Sequence, residues 1–88
     1  MKIQELLSDE FHWTQGALAR DLYGDACDVY DDDAICWCLV GAIYYCYSSK
    51  DAGIITQRLE ERGINDPQSW NDCTTWEHVR ELVTTLDI

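Results

Sequence analysis

An apolar run in the middle of the chain constrains the fold more than any other feature. The run, AICWCLVGAIYYCYS, extends from residue 34 to residue 48 and holds no charged side chain. On a helix, its larger side chains would form two stripes: Ile35, Cys38, Leu39, Ala42 and Cys46 on one, and Trp37, Val40, Tyr44 and Tyr47 on the other. A helix that is apolar nearly all round has to be covered by other elements. The sequence therefore predicts a central helix here.

The chain before this run predicts one short helix and one small hairpin. Ile3, Leu6 and Leu7 follow helical spacing, and this first helix is expected to end near Ser8. Farther on, DLYGD is a turn signal between the short runs LAR and ACDV, which can pair with each other. We expect a small hairpin or an ordered loop at Leu18–Val29.

The chain after the run predicts two more helices. A serine pair caps the first, DAGIITQRLEER, and Gly63 ends it in the usual position just past the last turn. The dipeptide DP then opens a connection. Thr74 and Glu77 form a capping box that begins the last helix. The predicted fold is mainly α: a compact single domain, residues 1–88, of three to four helices with a small β-hairpin or ordered loop.

The charge balance excludes some partners. The chain has 17 acidic and 6 basic residues, for a net charge of −11, which repels phosphate backbones and anionic membrane surfaces. At 47% hydrophobic residues, with four Trp and five Tyr, it is too apolar for a disordered acidic tail. We expect a folded protein that binds neither nucleic acid directly nor membranes.

The start of the chain and the cysteines indicate the compartment. Acidic residues interrupt IQELLSDEF where a signal peptide would be apolar, and no apolar stretch approaches the roughly 20 residues that span a bilayer. The five cysteines are an odd number and stand mostly among apolar residues, which fits reduced thiols better than a disulfide framework. We expect a cytoplasmic protein.

Acidic residues are concentrated just before the apolar run: Asp21, Asp25, Asp28, Asp31, Asp32 and Asp33. They do not fit the frame of an EF-hand calcium loop, which needs regularly spaced oxygen ligands, a central glycine and a final glutamate. Our interpretation is that the last three form the N-cap and first turn of the central helix, where carboxylates are favourable. A loose Mg²⁺ or Ca²⁺ site is the alternative. No metal or cofactor is predicted.

The cysteines and histidines give little support to catalysis. On a helix, Cys36 and Cys38 would point about 200° apart, so they would not bind one zinc ion together. Cys73 is close in sequence to His78, which leaves a thiol or metal-assisted hydrolase as an alternative. The chain has no GxGxxG, Walker, GxSxG or HExxH motif. We predict that the protein is not an enzyme and has no catalytic residues.

The aromatic residues of the apolar run are a candidate binding surface. Trp37, Tyr44, Tyr45 and Tyr47 cannot all enter the core of so small a domain. Exposed aromatic rings beside carboxylates are typical of protein-docking surfaces, whereas the alternative is that these rings pack beneath the hairpin and first helix. The predicted partner-binding residues are the six aspartates together with Trp37, Tyr44 and Tyr47.

Three segments resemble a known sequence pattern: WTQGALARDLYG at 13–24, AICWCLVGAI at 34–43 and SWNDCTTWEHV at 69–79. The pattern is similar to that of a family of small uncharacterised bacterial and phage proteins. These share a tryptophan, a GxxARDxxG turn, a cysteine followed by Gly-Ala on a helix, and a late WND before a capped helix. The resemblance implies a compact, mostly helical domain, and no established activity.

Several positions of this pattern have structural reasons. Gly41 would let another element approach the central helix closely, and Asn71 with Asp72 can satisfy backbone groups in the turn before the last helix. Arg20 and Asp21 are expected to form a local ion pair.

These observations together predict a small acidic protein-binding module. Its expected partner is a protein with a basic surface, on which carboxylates take the place of phosphates. The corresponding biological role is a phage-type inhibitor that mimics nucleic acid and blocks a restriction or CRISPR protein. A general acidic interaction protein of unknown role is the alternative.

Overall fold

The protein has five α-helices and one antiparallel pair of strands in the computed structural model, which describes residues 1–88. In chain order the elements are α1 (Ile3–Leu6), β1 (Ala19–Asp21), β2 (Ala34–Trp37), α2 (Leu39–Cys46), α3 (Ser49–Glu61), α4 (Pro67–Cys73) and α5 (Trp76–Leu86), with a 3-10 turn at Glu10–His12. The predicted mainly α fold with a small hairpin is confirmed.

Helix α2 lies at the centre of the fold. It contacts α1, α3, α4 and strand β2. Its buried side chains meet a core drawn from both ends of the chain, including Ile3, Leu7, Leu59, Val79, Val83 and Ile88. The prediction of a central helix is confirmed, although the helix is shorter than the apolar run.

The first residues of the apolar run form strand β2, so the prediction of helix from residue 34 was wrong. In the antiparallel pair, Ala19 lies opposite Trp37 and Arg20 lies opposite Cys36. The Trp37 indole Nε1 also donates to the Val29 carbonyl at 3.0 Å, which fixes the strand against the preceding loop. A continuous apolar run carries no periodicity that separates a buried strand from a buried helix.

A small hairpin or an ordered loop was predicted at Leu18–Val29; beyond β1, the structure has an ordered loop there, with one isolated bridge between Arg20 and Ala26. Beside it, the Cys27 amide donates to the Ala19 carbonyl at 3.0 Å. Strand β1 therefore pairs regularly with β2 on one side and contacts Ala26 and Cys27 on the other.

Helix α2 begins only at Leu39, and its N-cap is Cys38. The Cys38 sulfur accepts a hydrogen bond from the Gly41 amide at 3.3 Å. Asp31, Asp32 and Asp33 precede strand β2 instead, so the interpretation that they cap the central helix was wrong.

A close approach to α2 occurs at Gly41, as predicted. A Cβ atom added to Gly41 would lie 2.0 Å from the Leu18 carbonyl oxygen. The Cys38 amide donates to the same oxygen at 3.2 Å, so the backbone just before β1 is fixed on the start of the helix. Only glycine leaves room for this contact.

The serine cap and the glycine end predicted for α3 are confirmed, although the helix begins at Ser49, two residues before the predicted segment. The Ser48 hydroxyl caps the helix by accepting from the Asp51 amide at 3.4 Å. Gly63 follows the last turn with a φ of +84°, in the left-handed region that glycine tolerates best.

Helix α4 occupies the segment that was predicted to be a connection. Asp66 caps it by accepting from the Ser69 amide at 3.2 Å, and Pro67 stands in the first turn. The next helix, α5, is capped by Thr75, which accepts from the His78 amide at 3.4 Å. The N-cap is therefore Thr75 and not Thr74, and the predicted capping box between Thr74 and Glu77 does not form.

Asn71 of α4 is the one fully buried polar residue and joins three parts of the chain. Its Oδ1 accepts from the Trp13 indole at 2.7 Å and from the Leu39 amide at 3.0 Å. Its Nδ2 donates to the Thr14 carbonyl at 3.1 Å. The amide thus satisfies backbone groups of distant segments, rather than those of the adjacent turn as predicted.

The neighbouring Asp72 makes folding stability depend on pH. It accepts from the Gly16 amide at 3.0 Å, and this hydrogen bond holds the carboxyl pKa below its ordinary value of 3.8. Because the pKa is lower in the folded state, the stabilisation is present above about pH 4 and is lost as the pH falls through the lowered value.

We therefore predict that Asp72→Asn flattens the acid side of the stability profile. The stability difference between wild type and variant should be largest near neutral pH and should shrink below pH 3.8. Urea unfolding from about pH 7 down to pH 2.5 measures this difference. A difference that stays constant across this range would contradict the role given to Asp72.

Candidate functional site

The six predicted aspartates lie in a surface segment at residues 21–33, which we term the acidic segment. Three of them shape it by accepting a hydrogen bond from the amide two residues later, at 2.8 or 2.9 Å: Asp21, Asp28 and Asp31. The other three are exposed, and their side chains make no hydrogen bond within the protein: Asp25, Asp32 and Asp33. Three of the aspartates therefore use one carboxylate oxygen to fix the loop, and the side chains of the other three make no contact that the loop needs.

No Lys, Arg or His side chain forms an ion pair with a carboxylate of the acidic segment. Lys, Arg and His are absent between residues 21 and 49. The preceding Arg20 makes three hydrogen bonds, at 3.0 or 3.1 Å, to oxygens on Thr14, Gln15 and Gly24. The ion pair predicted between Arg20 and Asp21 does not form, because the guanidinium is taken up by these oxygens.

A hollow of about 430 Å³ lies where the first and last residues of the acidic segment meet, and we term it the acidic hollow. Six residues line it: Asp21, Leu22, Tyr23, Asp32, Asp33 and Ile35. Leu22 and Tyr23 are 75% and 85% exposed at the tip of the turn after β1. Exposed apolar side chains are thus bordered by carboxylates on one surface.

A larger groove of about 700 Å³ lies between the acidic segment and helices α2 and α3. Three tyrosines line it, Tyr30, Tyr44 and Tyr47, and we term it the tyrosine groove. Asp28 is its one charged lining residue. The α3 side of the groove carries small side chains: Ser49, Ala52, Gly53 and Thr56.

Two contacts hold the Tyr30 side chain in place. Its hydroxyl donates to the Tyr44 carbonyl, and its ring stacks on Tyr45 with a centroid distance of 5.9 Å. Tyr45 in turn lies 5.2 Å from the Trp37 ring. This chain of contacts connects the wall of the tyrosine groove to the core.

The structure places six of the predicted partner-binding residues on two surfaces, and the exposed Asp25 and Asp31 line neither of them. The acidic hollow includes Asp21, Asp32 and Asp33, and the tyrosine groove includes Asp28, Tyr44 and Tyr47.

Trp37 is the exception among these residues. It is only 8% exposed, and its indole N–H is bonded to a backbone carbonyl. It packs beneath the loop and cannot meet a partner, so its inclusion was wrong and the packing alternative holds for this ring.

Sequence reasoning missed Leu22, Tyr23 and Tyr30. The first two stand inside the DLYGD turn signal, which places them at an exposed tip. Tyr30 stands between aspartates, and this polar surrounding indicates that it lies outside the core.

The thiols and imidazoles do not form a common site. Cys73 and His78 are both exposed, but the His78 Nδ1 atom lies 3.2 Å from the Thr74 hydroxyl, and no hydrogen bond joins it to the thiol. Burial raises the pKa of the Cys46 thiol to about 11, which keeps it protonated and weakly nucleophilic. No three His, Cys, Asp or Glu side chains are grouped so that they could hold a metal ion.

Comparison with known proteins gives no further guide to this surface. No protein-family model, curated protein sequence or solved structure matches the chain. The resemblance of the three sequence segments therefore stays a prediction. None of the helices has the length and apolar character needed to cross a membrane.

Proposed function

We propose that the protein binds the basic surface of a partner protein through its acidic segment. One observation carries the proposal: the free carboxylates of Asp32 and Asp33 border the exposed Leu22 and Tyr23 in a segment without any cation. Clustered negative charges attract a basic surface over a distance. An exposed aromatic side chain can then stabilise the complex by packing against the partner.

The arrangement differs from that of a surface that is acidic only for solubility. On such surfaces, positively and negatively charged side chains are usually interspersed, and few large apolar side chains are exposed. Here six carboxylates fall within residues 21–33, and Leu22 and Tyr23 stand among them. This combination favours recognition of another protein.

The dense negative charge of the acidic segment supports one class of partner, a protein that normally binds nucleic acid. Carboxylates on a rigid loop can replace phosphates in a groove of Lys and Arg side chains. Within this proposal, the partner is a protein that normally holds nucleic acid, such as a restriction or CRISPR protein, and binding inhibits it.

We expect this protein to release specific proteins from immobilised double-stranded DNA that has been loaded with host lysate. The affinity for a released protein should fall at least tenfold between about 50 and 300 mM salt, because the screening length shortens from roughly 14 to 6 Å. The triple variant Asp25→Asn, Asp32→Asn and Asp33→Asn should bind at least tenfold more weakly, with a smaller salt dependence. These substitutions break no internal hydrogen bond.

The matched control neutralises three exposed glutamates elsewhere: Glu10, Glu60 and Glu61, each changed to Gln. It has the same net charge as the triple aspartate variant, so it should lose less than threefold in affinity. Equal losses in the two variants would contradict a local site. Binding that ignores salt and fails on Tyr23→Ala would assign recognition to the apolar tip and exclude mimicry.

A further inference from the structure

We propose that the tyrosine groove receives an arginine side chain of the basic partner. This inference rests on the proposed function and deepens it, because it assigns one kind of residue on the partner to one position on this protein.

The groove has the size and chemistry of a ligand site. Its volume of about 700 Å³ lies within the range of roughly 300–1,000 Å³ that is usual for such sites. Seven of its twelve lining residues are hydrophobic, and its one charge is the negative charge of Asp28. An occupant that complements this lining has an apolar stem and a cationic head.

The tyrosine rings suit a planar cation. Tyr30 and Tyr44 are 64% and 49% exposed, so part of each ring is open to solvent. Cations are attracted to the faces of aromatic rings, and the guanidinium group also stacks on them. An arginine side chain can lie along these rings with its methylene groups in apolar contact.

The Asp28 carboxylate is available to pair with that cation. Its Oδ1 accepts from the Tyr30 amide at 2.9 Å, and its Oδ2 makes no hydrogen bond within the protein. The Ser49 hydroxyl on the opposite wall makes no internal hydrogen bond either. A guanidinium has five N–H donors and can reach more than one such acceptor at once, which an ammonium group does less well.

The groove is open without rearrangement of its walls. Tyr30 is held by the Tyr44 carbonyl and by the Tyr45 ring, and the opposite wall is built from small side chains such as Ala52 and Gly53. A preformed site loses less conformational entropy when it binds.

Other occupants complement the groove less well. An apolar segment would bury the Asp28 carboxylate and the Ser49 hydroxyl without partners, which is costly. A second copy of the chain would bring together two molecules that each carry a net charge of −11. Charge complementarity therefore favours arginine.

The test is a titration with N-acetyl-arginine amide, followed by the backbone amide signals in NMR. We expect saturable shifts at residues 28–30 and 44–49, with a dissociation constant in the millimolar range that is usual for one side chain. The citrulline analogue has the same shape without the charge and should bind at least tenfold more weakly. The lysine analogue should bind at least threefold more weakly.

Two pairs of variants locate the site. Asp28→Asn keeps the oxygen that accepts from the Tyr30 amide and should weaken arginine binding at least fivefold, whereas Asp32→Asn removes the same charge outside the groove and should change it less than twofold. Tyr44→Leu should weaken binding at least threefold, while Tyr23→Leu should leave it unchanged.

Each contrary result overturns the inference. These results are equal binding of the citrulline or lysine analogue, equal effects of the two aspartate variants, and shifts confined to the acidic hollow. Dimers in sedimentation that disappear in Tyr44→Leu would assign the groove to a second copy.

Two outcomes separate the inference from the proposed function. If DNA-bound proteins are released but the arginine amide does not shift the signals of the groove residues, the inference fails and the proposed function stands. If the amide binds in the groove but no protein is released, the proposed function fails instead.

Discussion

Asn71→Ala is expected to lower the free energy of unfolding by about 3–5 kcal/mol, because one buried and one partly buried donor lose their acceptor at once. The Trp13 indole and the Leu39 amide both donate to the Asn71 Oδ1 atom, at 2.7 and 3.0 Å. The Thr14 carbonyl also loses the donor that lies 3.1 Å away. A buried donor without a partner costs about 1–3 kcal/mol, and the truncated side chain leaves a cavity besides.

Asn65→Ala is the matched control for this prediction. Asn65 is exposed and its side chain makes no hydrogen bond within the protein, so its loss should change stability by less than about 0.5 kcal/mol. Urea unfolding followed by tryptophan fluorescence measures both variants. A loss below about 1 kcal/mol in Asn71→Ala would mean that water replaces the amide, and would remove Asn71 from the determinants of the fold.

Gly41→Ala should destabilise the protein by at least about 3 kcal/mol, at or beyond the upper end of ordinary overpacking in a core. The added Cβ would stand 2.0 Å from the Leu18 carbonyl oxygen. That oxygen cannot move freely, since it accepts from the Cys38 amide at 3.2 Å. Relief of the clash therefore requires α2 and the backbone before β1 to separate.

Gly53→Ala is the control of opposite sign. A Cβ atom at Gly53 would meet nothing within 4 Å, and the residue is exposed in the interior of α3. Alanine in a helix is more stable than glycine by roughly 0.5–1 kcal/mol, so this variant should unfold at higher urea than wild type. If Gly41→Ala also stayed within about 1 kcal/mol of wild type, the close contact with Leu18 would not limit the fold.

The elements that were predicted correctly are those whose signals are local. The serine cap of α3 and the glycine after its last turn both act within a few residues. These signals operate through the backbone next to them. The helix ends that they specify therefore form in the same place, however the rest of the chain packs.

Strand β2 and helix α4 could not be predicted in the same way. β2 depends on β1, whose residues lie some fifteen positions earlier, and its apolar side chains suit a buried helix equally well. α4 has a local start at Asp66 and Pro67, but the helix is short, and its Asn71 makes its contacts with segments distant in sequence.

The aspartates of the candidate surface could be predicted from the sequence, but the positions of its aromatic rings could not. Aspartate side chains are exposed in almost any fold, so the acidic segment could be found from composition alone. An aromatic ring, by contrast, is buried or exposed according to its tertiary neighbours. Trp37 and Tyr44 belong to the same apolar run, yet the first lies under the Val29 loop and the second lines a groove.

The aspartates of the acidic segment differ in whether their side chains hold the loop, and this difference determines which positions can change without altering its shape. Asp21, Asp28 and Asp31 use an oxygen to hold their own turns, whereas the side chains of Asp25 and Asp32 hold nothing within the protein. Selection can therefore act on the second group without disturbing the first. Substitution at positions 25, 32 and 33, even to lysine, would therefore change the charge that the loop presents while the hydrogen bonds that fix its shape stay in place.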